Sequence, residues 1–60
     1  MNYKIITKWE TGKVETESHK TKKDALETYQ IIVDYLDEFS NMGANITLLE
    51  NGKIIRTAVV

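Results

Sequence analysis

The chain contains no cysteine and no proline. Without cysteine there is no disulfide framework, no thiolate metal site and no thiol nucleophile. Without proline there is no stiff Pro-rich linker and no cis-prolyl turn. Glycine occurs three times, as Gly12, Gly43 and Gly52. These stand singly, so no glycine-rich loop can cradle a phosphate. An excess of basic residues is also missing: 8 Lys+Arg face 9 Asp+Glu, a net charge of -1. That excludes the strong cationic field behind non-specific nucleic-acid binding. No apolar run approaches the ~18 residues that span a bilayer. The first residues, MNYKIITKW, alternate apolar and polar and hold no signal-peptide core. A cytoplasmic protein is therefore expected.

What is present fits one small domain over residues 1–60. Hydrophobic residues make up 42% of the 60, normal for a globular chain. A chain this short buries only about 60% of its unfolded surface and is marginal alone. Small scaffolds use disulfides, metals or oligomerisation as a staple. Cysteine being absent, an oligomer, most simply a dimer, is the expected one.

Tyr3 to Glu10 has period two. Tyr3, Ile5, Thr7 and Trp9 share one face, the mark of a half-buried strand. Thr11-Gly12 supplies a turn, and Lys13 to His19 a second, more polar strand. A two-residue turn pairs Trp9 with Val14, Thr7 with Thr16, Lys8 with Glu15 and Glu10 with Lys13. That register puts an aromatic–β-branched pair inside and opposite charges outside. Thr21 with Asp24 three residues on resembles a capping box and starts a helix that runs to about Phe39. Ala25, Tyr29, Ile32, Val33, Leu36 and Phe39 form its apolar stripe, with Leu26 at the margin. Ser40-Asn41-Met42-Gly43 ends it. Ala44 to Glu50 and Lys53 to Val60 are strands around Asn51-Gly52, the strongest short hairpin signal. A type I′ turn pairs Glu50 with Lys53, Leu48 with Ile55 and Ile46 with Thr57. Val59 continues that inner face.

The fold class expected is α+β: a two-layer ββαββ domain with one helix on a four-stranded sheet. The expected strand order is 2-1-4-3, the first and last strands central and parallel under a right-handed crossover. The expected core is Tyr3, Ile5, Trp9, Val14, Leu26, Tyr29, Ile32, Val33, Leu36, Phe39, Ile46, Leu48, Ile55 and Val59.

Met1-Asn2-Tyr3-Lys4-Ile5-Ile6 and the element order after it resemble the immunoglobulin-binding domain of protein G. The likeness covers the topology of the whole chain and the residues of the first strand. It implies the architecture, and by analogy an immunoglobulin-binding module. That family grips its partner with polar helix residues and an aromatic on the third strand. Here Ala44 to Glu50 has no aromatic, and the outer helix face carries Ile31 and Tyr35. No binding residue carries over. More loosely, the chain is similar in style to small proteins of phages and prophages of low-GC bacteria.

Apolar residues that the core cannot use carry the functional reading. Ile31 and Tyr35 lie four apart on the helix side facing away from the sheet. Ile6, Leu49, Ile54, Ala58 and Val60 fall on the open sheet face, with Lys4, Lys8 and Arg56 nearby. These seven apolar residues are the expected interface. Lys4, Lys8 and Arg56 are the expected contacts for a small anionic ligand, as donors of charge-assisted hydrogen bonds. Burying one Ile or Leu is worth roughly 1.5–3 kcal/mol, so a few in a symmetric dimer rival the stability of the whole fold. The helix also has five acids against two lysines, which suits a basic partner or, less directly, a DNA mimic.

Catalysis finds little support. His19, the single histidine, ends a polar strand beside Ser18, and adjacent strand residues point to opposite faces. Glu17 and His19 share a face, but two ligands do not complete a zinc site. Asp34, Asp37 and Glu38 have no loop that gathers oxygens around calcium. No enzyme, metal, cofactor or membrane association is expected. The expected function is a non-catalytic, self-associating interaction module that binds a host protein or small anionic ligand, as a phage accessory or inhibitor protein does. The alternative is single-stranded nucleic-acid binding on the open sheet, which requires Tyr3 and Trp9 to face outward.

Overall fold

Alternation in the strands and a 3.6-residue stripe in the helix produce the elements. They are β1 (Tyr3–Trp9), β2 (Val14–His19), α1 (Lys22–Phe39), β3 (Ala44–Glu50) and β4 (Lys53–Val59). The computed structural model describes residues 2–39 and 43–60. The helix stop expected at Ser40, Asn41 and Met42 lies outside them. At the other end of α1 the Asp24 amide donates to Thr21 Oγ1 at 3.3 Å, and the Ala25 amide to the Thr21 carbonyl at 3.1 Å. Thr21 therefore caps the helix as its sequence position suggests.

The fold is α+β, one helix on a four-stranded antiparallel sheet. Its order is β2-β1-β3-β4, not the expected 2-1-4-3. β1 and β3 sit at the centre and pair antiparallel, Ile5 opposite Leu48 and Thr7 opposite Ile46. The reason lies in what each inner face can bear. Ala44, Ile46 and Leu48 of β3 are all buried. The corresponding side of β4 carries Lys53 and Arg56, opposite Glu50 and Leu48. Only an edge strand keeps such groups in water, so β3 takes the centre. The crossover from β2 through α1 to β3 therefore passes over β1.

Tyr3, Ile5, Tyr29, Leu36, Ile46 and Leu48 are buried, with Ala25, Ala44 and Thr7 beside them. Trp9, Leu26, Ile32, Val33 and Ile55 pack against this core. Three expected core members lie outside it. Val14 is 52% exposed, Phe39 67% and Val59 78%.

Two of these exclusions come from register. In the first hairpin the Trp9 amide donates to the Lys13 carbonyl at 2.9 Å and the Gly12 amide to the Trp9 carbonyl at 3.0 Å. Gly12 has φ 93. The loop thus has three residues, Glu10 to Gly12, with glycine in the left-handed position that this loop length requires. Lys8 then pairs with Val14 and Thr7 with Glu15, one residue off the expected pairing. A one-residue slip exchanges the faces of a strand. Val14, Thr16 and Ser18 turn to the open side, and Glu15, Glu17 and His19 to the helix side.

The second hairpin begins as expected, Glu50 opposite Lys53 and Leu49 opposite Ile54. Asn51 (φ 51) and Gly52 (φ 84) form its turn. A bulge follows, and Leu48 pairs with Arg56 and Ile46 with Ala58. Ile55 is the extra residue, and beyond it the faces exchange. Ala58 and Val60, expected on the open face, pack against the core. Val59, expected inside, points out. Arg56, expected among the open-face cations, lies on the helix side, where its charge reaches the Tyr29 phenol.

The turn also ties the sheet to the N-terminal end. The Asn51 amide donates to the Asn2 carbonyl at 2.8 Å, and the Asn2 amide to Asn51 Oδ1 at 3.1 Å. Substituting Gly52→Ala puts a Cβ into a left-handed conformation that costs about 1–2 kcal/mol. Nothing lies within 4 Å of that Cβ, so the loss is purely conformational. Urea unfolding should show a lower midpoint with an unchanged slope.

Candidate functional site

Once the core is filled, the exposed large apolar side chains fall into two groups. Each member is more than half exposed.

The first group lies on the open face of the sheet. Three cross-strand rows can be read from the registers. Their middle row is Thr16, Ile6, Thr47 and Thr57. The row toward the Asn51-Gly52 turn is Ser18, Lys4, Leu49 and Ile54. The opposite row is Val14, Lys8, Asn45 and Val59. Ile6 and Leu49 are half-buried among their neighbours, while Ile54 is 61% exposed. Lys4 and Lys8 are the charged members of these rows, and no acid accompanies them. Asn2, Lys4, Ile6, Leu49, Asn51 and Gly52 line a shallow depression at one end. The structure thus brings together Ile6, Leu49, Ile54, Lys4 and Lys8 of the expected site, and leaves Arg56, Ala58 and Val60 on the other side.

The second group follows the edge of α1. Ile31, Tyr35 and Phe39 are each about two-thirds exposed, and the Tyr35 and Phe39 rings stand 5.1 Å apart. Spaced by four, these residues drift about 40° per step around the helix. The stripe winds from its back toward the sheet. On the β2 side it meets Trp9, Ile32, Leu36, Thr7 and Glu15 and forms an apolar groove. The groove continues along β2 past Glu17, Ile5 and Ile32. Trp9, Phe39 and Glu15 were not legible as surface residues. Phe39 fits the core stripe by angle, and Glu15 reaches the helix side only through the first-hairpin register. The i, i+4, i+8 spacing of Ile31, Tyr35 and Phe39 was the available signal.

Charge around the groove is mostly negative. Glu15 pairs with Lys13 at 3.3 Å, and Lys13 Nζ stands 5.6 Å from the Trp9 ring. His19 Nε2 lies 3.3 Å from Glu17 Oε1. The Lys13–Glu15 pair is exposed on both sides and of small energetic weight, whereas the His19 side chain is largely buried. The helix back adds Glu27, Asp34 and Glu38, all exposed. On the core side, Tyr3 donates to Glu50 Oε1 at 3.1 Å. Burial, then this hydrogen bond and the carboxylate charge, holds the Tyr3 phenol above its usual range. Burial also raises Tyr29, with Arg56 pulling it partly back. Among the described residues no three His, Asp or Glu side chains gather to hold a metal. No helix among them is long and apolar enough to cross a membrane.

The chain matches no protein-family model, no curated protein and no solved structure.

Proposed function

We propose that the protein is a non-catalytic interaction module that self-associates through the open face of its sheet. The observation that supports this is the placement of exposed apolar surface. Ile54, Val59 and Val14 stand over half exposed on a face whose middle row is one isoleucine and three threonines. Val14 and Val59 stand at separate corners, but Ile54 adjoins Leu49 in its row and Leu49 lies diagonal to Ile6, so these three form one apolar strip. Monomeric surfaces scatter such residues singly, and a strip of them marks a contact. A second copy is the natural occupant. Two such sheets stack about 10 Å apart, and a domain this small gains from the added burial. Stacking brings the Lys4 and Lys8 side chains of both copies to one interface. They are long enough to reach its rim, where a small anion would offset their repulsion. A cytoplasmic accessory protein that acts by binding a host protein is consistent with this reading. The nucleic-acid alternative draws no support from the described open face. Tyr3 is buried and Trp9 lines the helix-side groove.

Sedimentation at micromolar concentration tests the proposal. The wild-type chain should sediment as a dimer, and Ile54→Lys/Val59→Lys as a monomer with unchanged circular dichroism. Both positions are exposed, so the variant spares the core. A wild-type monomer, or a dimer indifferent to the double substitution, would sink the idea.

A further inference from the structure

The sheet has two edges, and they differ. β4 carries a bulge between its pairings with Leu48 and Leu49, a device that twists an edge away from new partners. β2 pairs with β1 from His19 to Val14 without irregularity. Among the described residues no strand neighbours its outer side. The groove with Ile31 and Tyr35 on its helix wall runs along that same strand. We propose that this groove takes an extended segment of a partner protein, added to β2 as a fifth strand, with Lys or Arg at the two alternate positions facing Glu15 and Glu17.

Charge and spacing select the occupant. An added strand lies about 4.8 Å from β2, and every second side chain enters the groove. Those side chains stand beside Glu15 and Glu17, two residues apart on the helix side. Opposite charges across a strand pair stabilise it, and like charges oppose it. The long stems of Lys or Arg cover Ile31 and Tyr35 while their charged ends stay at the carboxylates. The intervening residues meet Val14, Thr16 and Ser18, which suits β-branched side chains. Lys13 does not block the exchange, because its pair with Glu15 is exposed on both sides and worth little. A second copy fits less well. Antiparallel β2 pairing centred on Thr16 sets Glu15 against Glu17 twice, and centring it on Glu15 or Glu17 keeps one like-charge pair and shortens the ladder. Recognition by strand addition takes affinity from the main chain and specificity from alternate side chains.

This inference rests on the reading of the chain as an interaction module, but uses a different surface from self-association. Trp9, the only tryptophan, lines the groove and reports occupancy. The probe is a blocked peptide of alternating Lys and Val. Its controls are a peptide of the same composition in separate Lys and Val blocks, an alternating Glu–Val peptide, and a Lys–Val peptide methylated on its backbone nitrogens. The alternating Lys–Val peptide should shift Trp9 emission and slow amide exchange in residues 14–19. Each control should bind about tenfold more weakly or not at all. Glu15→Gln/Glu17→Gln, with circular dichroism unchanged, should weaken binding by about tenfold, the scale of losing well-placed charge pairs. Equal binding by the block peptide, absence of protection in β2, or unchanged affinity in the double variant would overturn the proposal. So would assembly of the protein alone that the double variant abolishes, because a second copy would then occupy the groove. Ile54→Lys/Val59→Lys should bind the peptide normally, so failure of strand addition and failure of self-association are read separately.

Discussion

Substituting Ile46→Ala should remove more than half of the protein's stability and lower its urea midpoint accordingly. Ile46 is 0% exposed and sits on a central strand opposite Thr7 and Ala58. Ile→Ala in a core costs about 2–5 kcal/mol, part of it for the cavity that rigid neighbours cannot close. At about 0.05–0.15 kcal/mol per residue, a domain of this size holds only roughly 3–9 kcal/mol in total. The loss therefore consumes most of the margin. Ile46→Val, at about 0.5–1.5 kcal/mol, should remain folded with a lower midpoint. Urea unfolding followed by circular dichroism separates the two. A folded Ile46→Ala chain with near wild-type stability would mean that the helix does not seal this strand.

The second large effect concerns the distance between helix and sheet. Ala25 is 0% exposed in the first turns of α1, and Ala44 at the start of β3 is 3% exposed. They lie at opposite ends of the sheet, Ala44 paired with Trp9 and α1 starting just after His19, which pairs with Tyr3. At its own end Ala25 lets the helix backbone approach the sheet. Ala25→Leu has no space for its added carbons and should cost about 1–3 kcal/mol through forced rotamers and helix displacement. At roughly 4–8 °C per kcal/mol for a domain of this size, thermal melting should register a clear drop. Gln30→Leu makes the matched control. Gln30 is exposed and donates only to Asp34, at 2.9 Å, so its substitution should stay within about 0.5 kcal/mol of wild type. If both leucines behave alike, close helix–sheet packing at Ala25 is not the constraint.

These effects are largest where sequence and structure agree. Ile46 and Ala25 both sat on faces readable from periodicity, as did Tyr3, Ile5, Tyr29 and Leu36. Disagreement concentrates in β2 and the far half of β4. There the local pattern was sound but its phase was wrong. Thr11-Gly12 reads equally as the centre of a two-residue turn or as the end of a three-residue loop, and opposite-charge pairs favoured the first. The structure takes the second and gives up the expected Trp9–Val14 pair. In β4, Ile54-Ile55 offers two adjacent apolar residues, and strict alternation can bury only one. The bulge lets Ile55 pack on the core while Ile54 stays outside, at the expense of the phase of everything after it. The candidate surfaces inherit both shifts. Ile6, Leu49, Ile54, Ile31 and Tyr35 were legible. The groove along β2 was not, because its acidic wall exists only in the three-residue register.

By itself the amino-acid order determined five elements, the Thr21 cap, the Asn51-Gly52 turn, the inner faces of β1 and β3, and that of α1 as far as Leu36. Each depends on residues within a few positions of one another, and sterics and amphipathicity act at that range. The tertiary structure alone decided which strand stands at the centre, where the ladder slips, and which polar groups end up beneath the helix. Those choices compare burial across residues far apart in the chain, and they went to the arrangement that keeps Lys53, Arg56, Glu15 and Glu17 on edges where water reaches them.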